Sequence, residues 1–431
     1  MLESGAGNRR PSHGSVDKKR QDRRVGLKLD RAITHWISAF SILLALGACA
    51  VVGAWGLGRT VSDRYLWTQF LAWIPTVIAL PVAFVILVLS SAVALAEEGA
   101  ERLTPFARDR RKRRRRIARL LRAACWLGVA WMGWALLATD LNLGARRSAT
   151  AGPVGRFPSI TMVYWNLANW PSARTVDLVR VHKPDIAIVA NAGFDLDSES
   201  LRSRIDAGAD LLEAGPITIV TRARMVAWGV TSLGFKGKKF QSEGAPEALR
   251  IDPGRAMWVA IDVGAGPGRE DGRPFVVWII DLPSDPTLSR HVMAVDTARQ
   301  LAAWKGTIFR RGPDGPPQHE GGPARSEWLP DTSLRTTGFP RPDVMIGDFN
   351  IPRGSGSLDV LAGSDDRKLQ NAFDQAGIGY VATWPIEFPL WHIDQAFIAP
   401  GLQAISYKVV NPRAGLHWMQ VVTLGTDDQD N

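Results

Sequence analysis

The sequence predicts a membrane anchor of three helices followed by an α/β or α+β sandwich of two sheets flanked by helices. Three observations carry this. Two long apolar runs near the N-terminus, Ala32–Gly58 and Leu66–Ala96, contain no formally charged side chain. The basic residues are gathered around those runs. Downstream, many short apolar runs alternate with a few helical patterns, as expected for sheets buried on both faces.

The anchor comes first. A helix that crosses a bilayer needs roughly 20 mostly apolar residues, and the two runs supply 27 and 31. A third run, AACWLGVAWMGWALLA (123–138), is shorter and reaches Leu143 only by including Asp140. The predicted spans within 32–143 are therefore about 32–58, 66–96 and 121–143, with Pro75 and Pro81 inside the second. Trp36, Trp55, Trp67, Trp126 and Trp134 lie towards the run ends, where interfacial aromatic belts form. A cleaved signal peptide is disfavoured: the first run is long, has no clear small-x-small cleavage site and is followed by further spans.

Charge sets the orientation. The 431 residues carry a net +10, which alone would invite a nucleic-acid partner. Residues 1–147 hold 24 Lys and Arg against 10 Asp and Glu, net +14, while the rest hold 28 against 32, net −4. The basicity belongs to the anchor, and nucleic acid is disfavoured for the remainder. Nine basic residues lie in the tail 1–31, and the loop 97–120 includes RDRRKRRRR (108–116). Positive-inside bias puts both in the cytoplasm and everything beyond about residue 144 outside a plasma (inner) membrane. The arginine run then marks topology and meets anionic headgroups; a nucleic-acid patch is the competing reading. Cys49 and Cys125 both sit in apolar runs, and residues 148–431 contain no cysteine, which excludes a disulfide framework or cysteine zinc site there.

After a linker at 144–158, strand-like runs appear at 160–167, 185–190, 217–222, 256–263, 275–282, 343–350, 393–399 and 419–424, with helical patterns at 173–182 and 293–309. The Gly- and Pro-rich stretch 310–340 reads as a long surface loop. The domain is placed at 159–425, with a short tail at 426–431.

The order WN (165–166), PDIAIVAN (184–191), a strand ending in DLP (281–283), GDFN (347–350), HID (392–394) and a late His resembles the endonuclease/exonuclease/phosphatase superfamily, with its deoxyribonuclease-I-like fold. GDFN with the small-residue loop after it is the most specific element. LQNAFDQAGIGYVATWP (369–385) resembles the membrane-anchored bacterial members related to VanJ-type proteins. The resemblance implies a two-sheet sandwich with its site at one end, divalent metal (Mg²⁺ or Mn²⁺) and phosphoester hydrolysis. Matching the family motif residue by residue gives Asn166, Asp348, Asn350, Asp394 and His417 as the catalytic set, with His392 a competing histidine. Three positions depart from it. Asn191 stands for the usual metal-binding Glu, Asp281 for a His, and Leu416 for an Asp.

Hydrolysis needs a placed water, neutralised phosphoryl oxygens and a stabilised leaving oxygen. An Asp–His pair orients a base or phosphate ligand, and Asp348 and Asn350, two apart at a strand end, are expected to face the same way. Asp281 offers a carboxylate that compensates for Asn191, so a relocated metal site of Asp348, Asp281 and neutral Asn191 is expected. Each residue also has a plain structural reading: Asn166 and Asn350 as turn residues, Asp394 as a strand-edge carboxylate, His417 as an ordinary histidine. Three functions follow. The first is a membrane-anchored extracytoplasmic phosphoesterase for a small or lipid-linked substrate. The second is an inactive relative serving as a binding or cell-envelope accessory module, and the third a nuclease.

Overall fold

The computed structural model describes residues 13–101, 109–144, 159–193, 196–238, 251–263, 273–311, 328–331 and 337–426. The linker reading for 145–158 and parts of the two tails, the basic loop and the 310–340 stretch lie outside these. The chain divides into two compact units, Met1–Ala54 with Ile78–Gly133, and Trp55–Val77 with Trp134–Asn431.

In the first unit the helices are long and apolar. Three stretches have the length and composition to cross a membrane: Trp36–Val61, Thr76–Glu98 and Arg116–Asp140. Small and polar groups let them approach: Ser41 Oγ donates to the Ser90 carbonyl (3.2 Å) and Ser90 Oγ returns a bond to the Ser41 carbonyl (2.9 Å). The second apolar run is not one helix. It gives a short helix Leu66–Ala72, a break, and a helix Thr76–Glu101. Pro75 causes the break, since proline disfavours helical backbone in the residue before it and suits a helix start; Pro81 is accommodated inside the second helix. The basic run is helical too, within Asp109–Ala135.

The second unit is a sandwich. Its strands are β1 Ile160–Asn166, β2 Ile186–Ala190, β3 Asp210–Ala214, β4 Ile217–Thr221, β5 Arg224–Ser232, β6 Gly237–Lys238, β7 Ile251–Asp252, β8 Arg255–Asp262, β9 Phe275–Asp281, β10 Ile308–Arg311, β11 Trp328–Asp331, β12 Val344–Asp348, β13 Gln370–Asn371, β14 Asp394–Ile398, β15 Leu402–Val410 and β16 Met419–Thr426. One sheet runs β15-β16-β1-β2-β4-β3, the other β11-β10-β5-β8-β9-β12-β14-β13. Each contains one parallel pair, β1 with β2 and β9 with β12, among antiparallel neighbours.

Side-chain alternation explains the layers. On β1, Met162 and Tyr164 join the core between the sheets, while Val163 and Trp165 turn to the outer face. That outer face is covered by helices Thr175–Arg180 and Ser198–Ile205, and the other sheet by Arg290–Ala302 and Gly356–Ala362. Strands buried on both faces are near-continuous apolar runs, so the sequence shows them plainly.

Two expectations change. The pattern at 293–309 holds a helix only to Ala302 and then strand β10. The helix end is capped by tertiary bonds from Gly338 N to the Trp304 carbonyl and Phe339 N to the Leu301 carbonyl. The stretch 310–340 is not all loop, because β10 and β11 pair within it, with Trp228 stacked on Phe309 (4.3 Å) and edge-on to Trp328.

The segment between the first two apolar helices is built into this unit. Gln69 Nε2 donates to the carbonyls of Pro286 (3.0 Å) and Leu288 (3.3 Å), and its Oε1 accepts from Arg290 N (2.8 Å). Ser62 Oγ accepts from Gly356 N, Asp63 Oδ1 from Ser357 N, and the Trp73 carbonyl from Trp391 Nε1. Asn142, just past the third apolar helix, donates to the carbonyls of Phe373, Asp374 and Gly377.

Candidate active site

The two parallel pairs end side by side. Their carboxyl ends place Asn166 at the end of β1, Asn191 just after β2, Asp281 at the end of β9 and Asp348 at the end of β12. Asp348 is in register with Asp281 on one side and with Asp394, the first residue of β14, on the other. His417 arrives from the loop before β16. The topology therefore gathers residues scattered over 250 positions at one end of both sheets.

Hydrogen bonds stitch them together. Asn166 Nδ2 donates to Asp348 Oδ2 across the sheets (2.8 Å). Asn191 Nδ2 donates to Asn166 Oδ1 (3.2 Å) and to Asp281 Oδ2 (3.1 Å). His417 Nδ1 lies 2.8 Å from Asp394 Oδ2 and 3.8 Å from Asp348 Oδ2. Asn166, Asp281, Asp348, Asp394 and His417 are all buried. Of the two histidines, His417 is the one that meets Asp394. His392 turns away, its Nε2 paired with the Tyr407 hydroxyl (2.9 Å), and burial pushes its pKa well below the usual range.

Asn350 does not stand parallel to Asp348. It lies two residues beyond β12 with φ +48°, so strand alternation no longer applies. Its amide donates to the Leu282 carbonyl (2.7 Å) and its backbone N–H to Asp348 Oδ1 (2.9 Å), which clamps the carboxylate from behind. Asn191 also sits in the left-handed region at φ +50°, a conformation that Asn tolerates better than Glu.

The electrostatics follow from three buried carboxylates in one small volume. Burial, then the charge of Asp394, pushes Asp348 up to about 8. Burial pushes Asp281 up to about 6, with the Asn191 hydrogen bond opposing it. Burial alone would lower His417, but the charges of Asp394 and Asp348 and the hydrogen bond to Asp394 raise it to about 9. Among the described residues, Asp394 Oδ1 is buried without a hydrogen-bond partner.

This donor set fits a hard divalent cation. One ligand atom from each of Asp348, Asp394 and His417 lies within 4.8 Å of the others, and closely packed carboxylates favour a cation over their own protonation. Asn191 joins the cluster through its N–H groups, as a donor to Asp281. Leu416 adds no polar group.

Sequence reasoning missed the groups that hold this cluster in place. Thr383 Oγ1 accepts from the backbone of Ile393 and Asp394, Trp165 Nε1 donates to the His417 carbonyl (3.0 Å), and Trp418 N to the Thr383 carbonyl (2.8 Å). Buried Arg290 supplies a cation whose pKa burial lowers to about 10 while the charges of Asp348 and Asp285 oppose the shift. Trp165 and Thr383 fall within the WN and 369–385 motifs, but nothing in those motifs shows what they hold, and Arg290 has no motif; only the tertiary fold discloses these roles. Gly347 did have a signal, as the first letter of GDFN. A Cβ there would lie 1.9 Å from the Ile280 carbonyl oxygen of the parallel neighbour.

No protein-family model and no curated protein sequence matches the chain. Solved structures do. An endonuclease/exonuclease/phosphatase from Beutenbergia cavernae is 15% identical, with a TM-score of 0.36, over 62% of this chain and 72% of that one. TDP2 from C. elegans is 12% identical, with a TM-score of 0.34, over 69% and 84%. The inositol polyphosphate 5-phosphatase domain of SPsynaptojanin, solved with inositol (1,4)-bisphosphate and a calcium ion, is 10% identical, with a TM-score of 0.33, over 66% and 88%.

Proposed function

We propose that this chain is a membrane-anchored, extracytoplasmic hydrolase of a phosphoester bond in a small or lipid-linked substrate. The observation that carries the reading is the buried Asp394–His417 pair converging on Asp348 where the two sheets meet.

The roles follow from the geometry. Asp394 fixes His417 through Nδ1 and holds it charged, so Nε2 is left to donate to a phosphoryl oxygen. Asp348, braced by Asn166 and Asn350 and ionised as pH approaches about 8, accepts a proton from the attacking water. Water adds to phosphorus, the bond to the leaving oxygen breaks, and the proton held by Asp348 passes to that oxygen. Asp348 and Asp281 would hold Mg²⁺ or Mn²⁺, with Asn191 beside them, leaving Asp394 to His417. Bound there, the ion supplies charge neutralisation to the phosphoryl oxygens.

The test uses the full chain in detergent with a p-nitrophenyl phosphodiester and monoester, in Mg²⁺, Mn²⁺ or EDTA. Metal-dependent turnover is expected, reduced by about 10²- to 10⁴-fold in Asp394→Asn and His417→Ala. Asp281→Ala is expected to weaken metal affinity; an unchanged affinity would move the metal to Asp348, Asp394 and His417. One observation favours the binding-module reading: Asn191 turns an N–H, and no carboxylate, towards the cluster. Rates that ignore metal and every variant, with no heat of metal binding by calorimetry, would establish that reading instead.

A further inference from the structure

The loop 378–391 (IGYVATWPIEFPLW) is apolar at its surface. Phe388 is 64% exposed, Ile378 44%, Tyr380 41% and Trp384 38%. It contains one charged residue, Glu387, and no Lys or Arg. Exposed apolar groups concentrated on one loop mark a contact surface rather than scatter.

The same loop is tied to the ends of the membrane-crossing helices. Gly379 N donates to the Leu141 carbonyl (2.8 Å), one residue beyond the stretch Arg116–Asp140. Trp391 Nε1 donates to the Trp73 carbonyl (2.8 Å), three residues before Thr76–Glu98 begins. An aromatic chain continues the connection: exposed Phe70 packs edge-on to Trp73 (5.7 Å), and Trp391 packs on Trp384 (5.4 Å). Loop and helix ends also line one cleft with about 580 Å³ of open space, to which Arg59, Val77, Leu136, Tyr380 and Trp391 contribute. A loop fastened to the ends of spans stands at the level where aromatic side chains partition into headgroups.

The loop also braces the dyad. Thr383 holds the backbone of Asp394 through its hydroxyl and that of Trp418 through its carbonyl, and Trp418 Nε1 donates to the Ile386 carbonyl (2.9 Å). Asp394 is six positions after Phe388, so the two are at most about 20 Å apart along the chain.

We propose that loop 378–391 is a membrane-docking element, seated in the headgroup layer of the bilayer that the anchor crosses, and that it holds the Asp394–His417 pair at the lipid surface. With so little charge, the contact is apolar and indifferent to anionic lipid and salt. Resting on the hydrolase reading, it narrows the substrate to a phosphoester carried by an amphiphile in that bilayer.

The test is depth measurement by spin labelling. Full-length protein with Cys49→Ala and Cys125→Ala is labelled at Phe388→Cys, at Ile378→Cys or, as a water-exposed control, at Arg204→Cys, and placed in phosphatidylcholine nanodiscs. Labels at 388 and 378 are expected to be accessible to oxygen and shielded from a water-soluble nickel chelate, unchanged by phosphatidylglycerol or by 0.5 M salt; the label at 204 shows the reverse. Labels at 388 and 378 as open to nickel as that at 204 would overturn the proposal, whatever the enzyme assay gives. Deep labels in a chain without hydrolytic activity would keep the docking surface and remove the hydrolase reading. In an active chain, Phe388→Ser with Ile378→Ser is expected to lower turnover of a lipid phosphoester in vesicles at least tenfold and to spare a soluble p-nitrophenyl diester. Equal loss on both substrates would show that the loop supports only the fold.

Discussion

Asp348 carries most of the tension in this molecule. It lies between two aspartates in register and beneath a histidine, all buried, and its proton is held up to about 8 as a result. The sign of the consequence is fixed by linkage. A carboxyl whose folded pKa exceeds its ordinary 3.8 favours folding while protonated, and that contribution is lost as pH rises through about 8. His417, raised from 6.5 to about 9, acts in the same direction: its contribution is complete below about 6.5 and lost as pH rises through about 9. The chain in EDTA is therefore expected to melt at a lower temperature at pH 9 than at pH 5, with a smaller drop in Asp348→Asn. A melting temperature that stays level or rises over that interval would refute the account. Added Mg²⁺ or Mn²⁺ is expected to restore stability at the alkaline end, because a ligand that binds only the folded state stabilises it.

Among the elements, the strand pair β9–β12 sets the site, and Gly347 makes it possible. With the Ile280 carbonyl occupying the space of a side chain, any Cβ at 347 pushes the strands apart just where Asp281 and Asp348 must stay in register. Gly347→Ala is expected to cost about 1–3 kcal/mol, the range for overpacking, seen as a lower melting temperature together with weaker metal affinity. An unaltered melting temperature would show that the strands yield freely. The same elements show what a sequence discloses. β2, β9 and β12 are buried on both faces and read directly as apolar runs. β5 (RMVAWGVTS) alternates buried with partly exposed positions, and β15 (LQAISYKVV) buries only Ala404 and Tyr407 on either side of a bulge, so neither forms a continuous apolar run. Asp348, Asp394 and His417 were legible because a motif or a neighbour frames each. Thr383, Trp165 and Arg290 were not, since their roles arise only where distant segments meet.

For the whole molecule, charge and connectivity bear on the membrane topology independently. From positive-inside bias, the tail and the 97–120 loop are expected in the cytoplasm. Hydrogen bonds give a separate parity argument. The segment that includes Ser62, Asp63 and Gln69 is bonded into the C-terminal unit, so if the candidate spans cross a bilayer, both are expected on one side of it. Two segments on one side are separated by an even number of crossings, and the stretches between them, Thr76–Glu98 and Arg116–Asp140, number two. Among the described residues one further candidate span, Trp36–Val61, precedes these, so the N-terminal tail is expected opposite the sandwich. The expected outcome is an active alkaline phosphatase fused after Asn431 in a bacterial host, and a dark green fluorescent protein at the same position when exported through the same route. Replacing Arg113, Arg114, Arg115 and Arg116 with Gln is expected to weaken this bias and yield a mixed population. A fluorescent C-terminal fusion with an inactive phosphatase would overturn this topology, placing the sandwich with the arginines and leaving the Gln69–Arg290 bond without a route across the membrane.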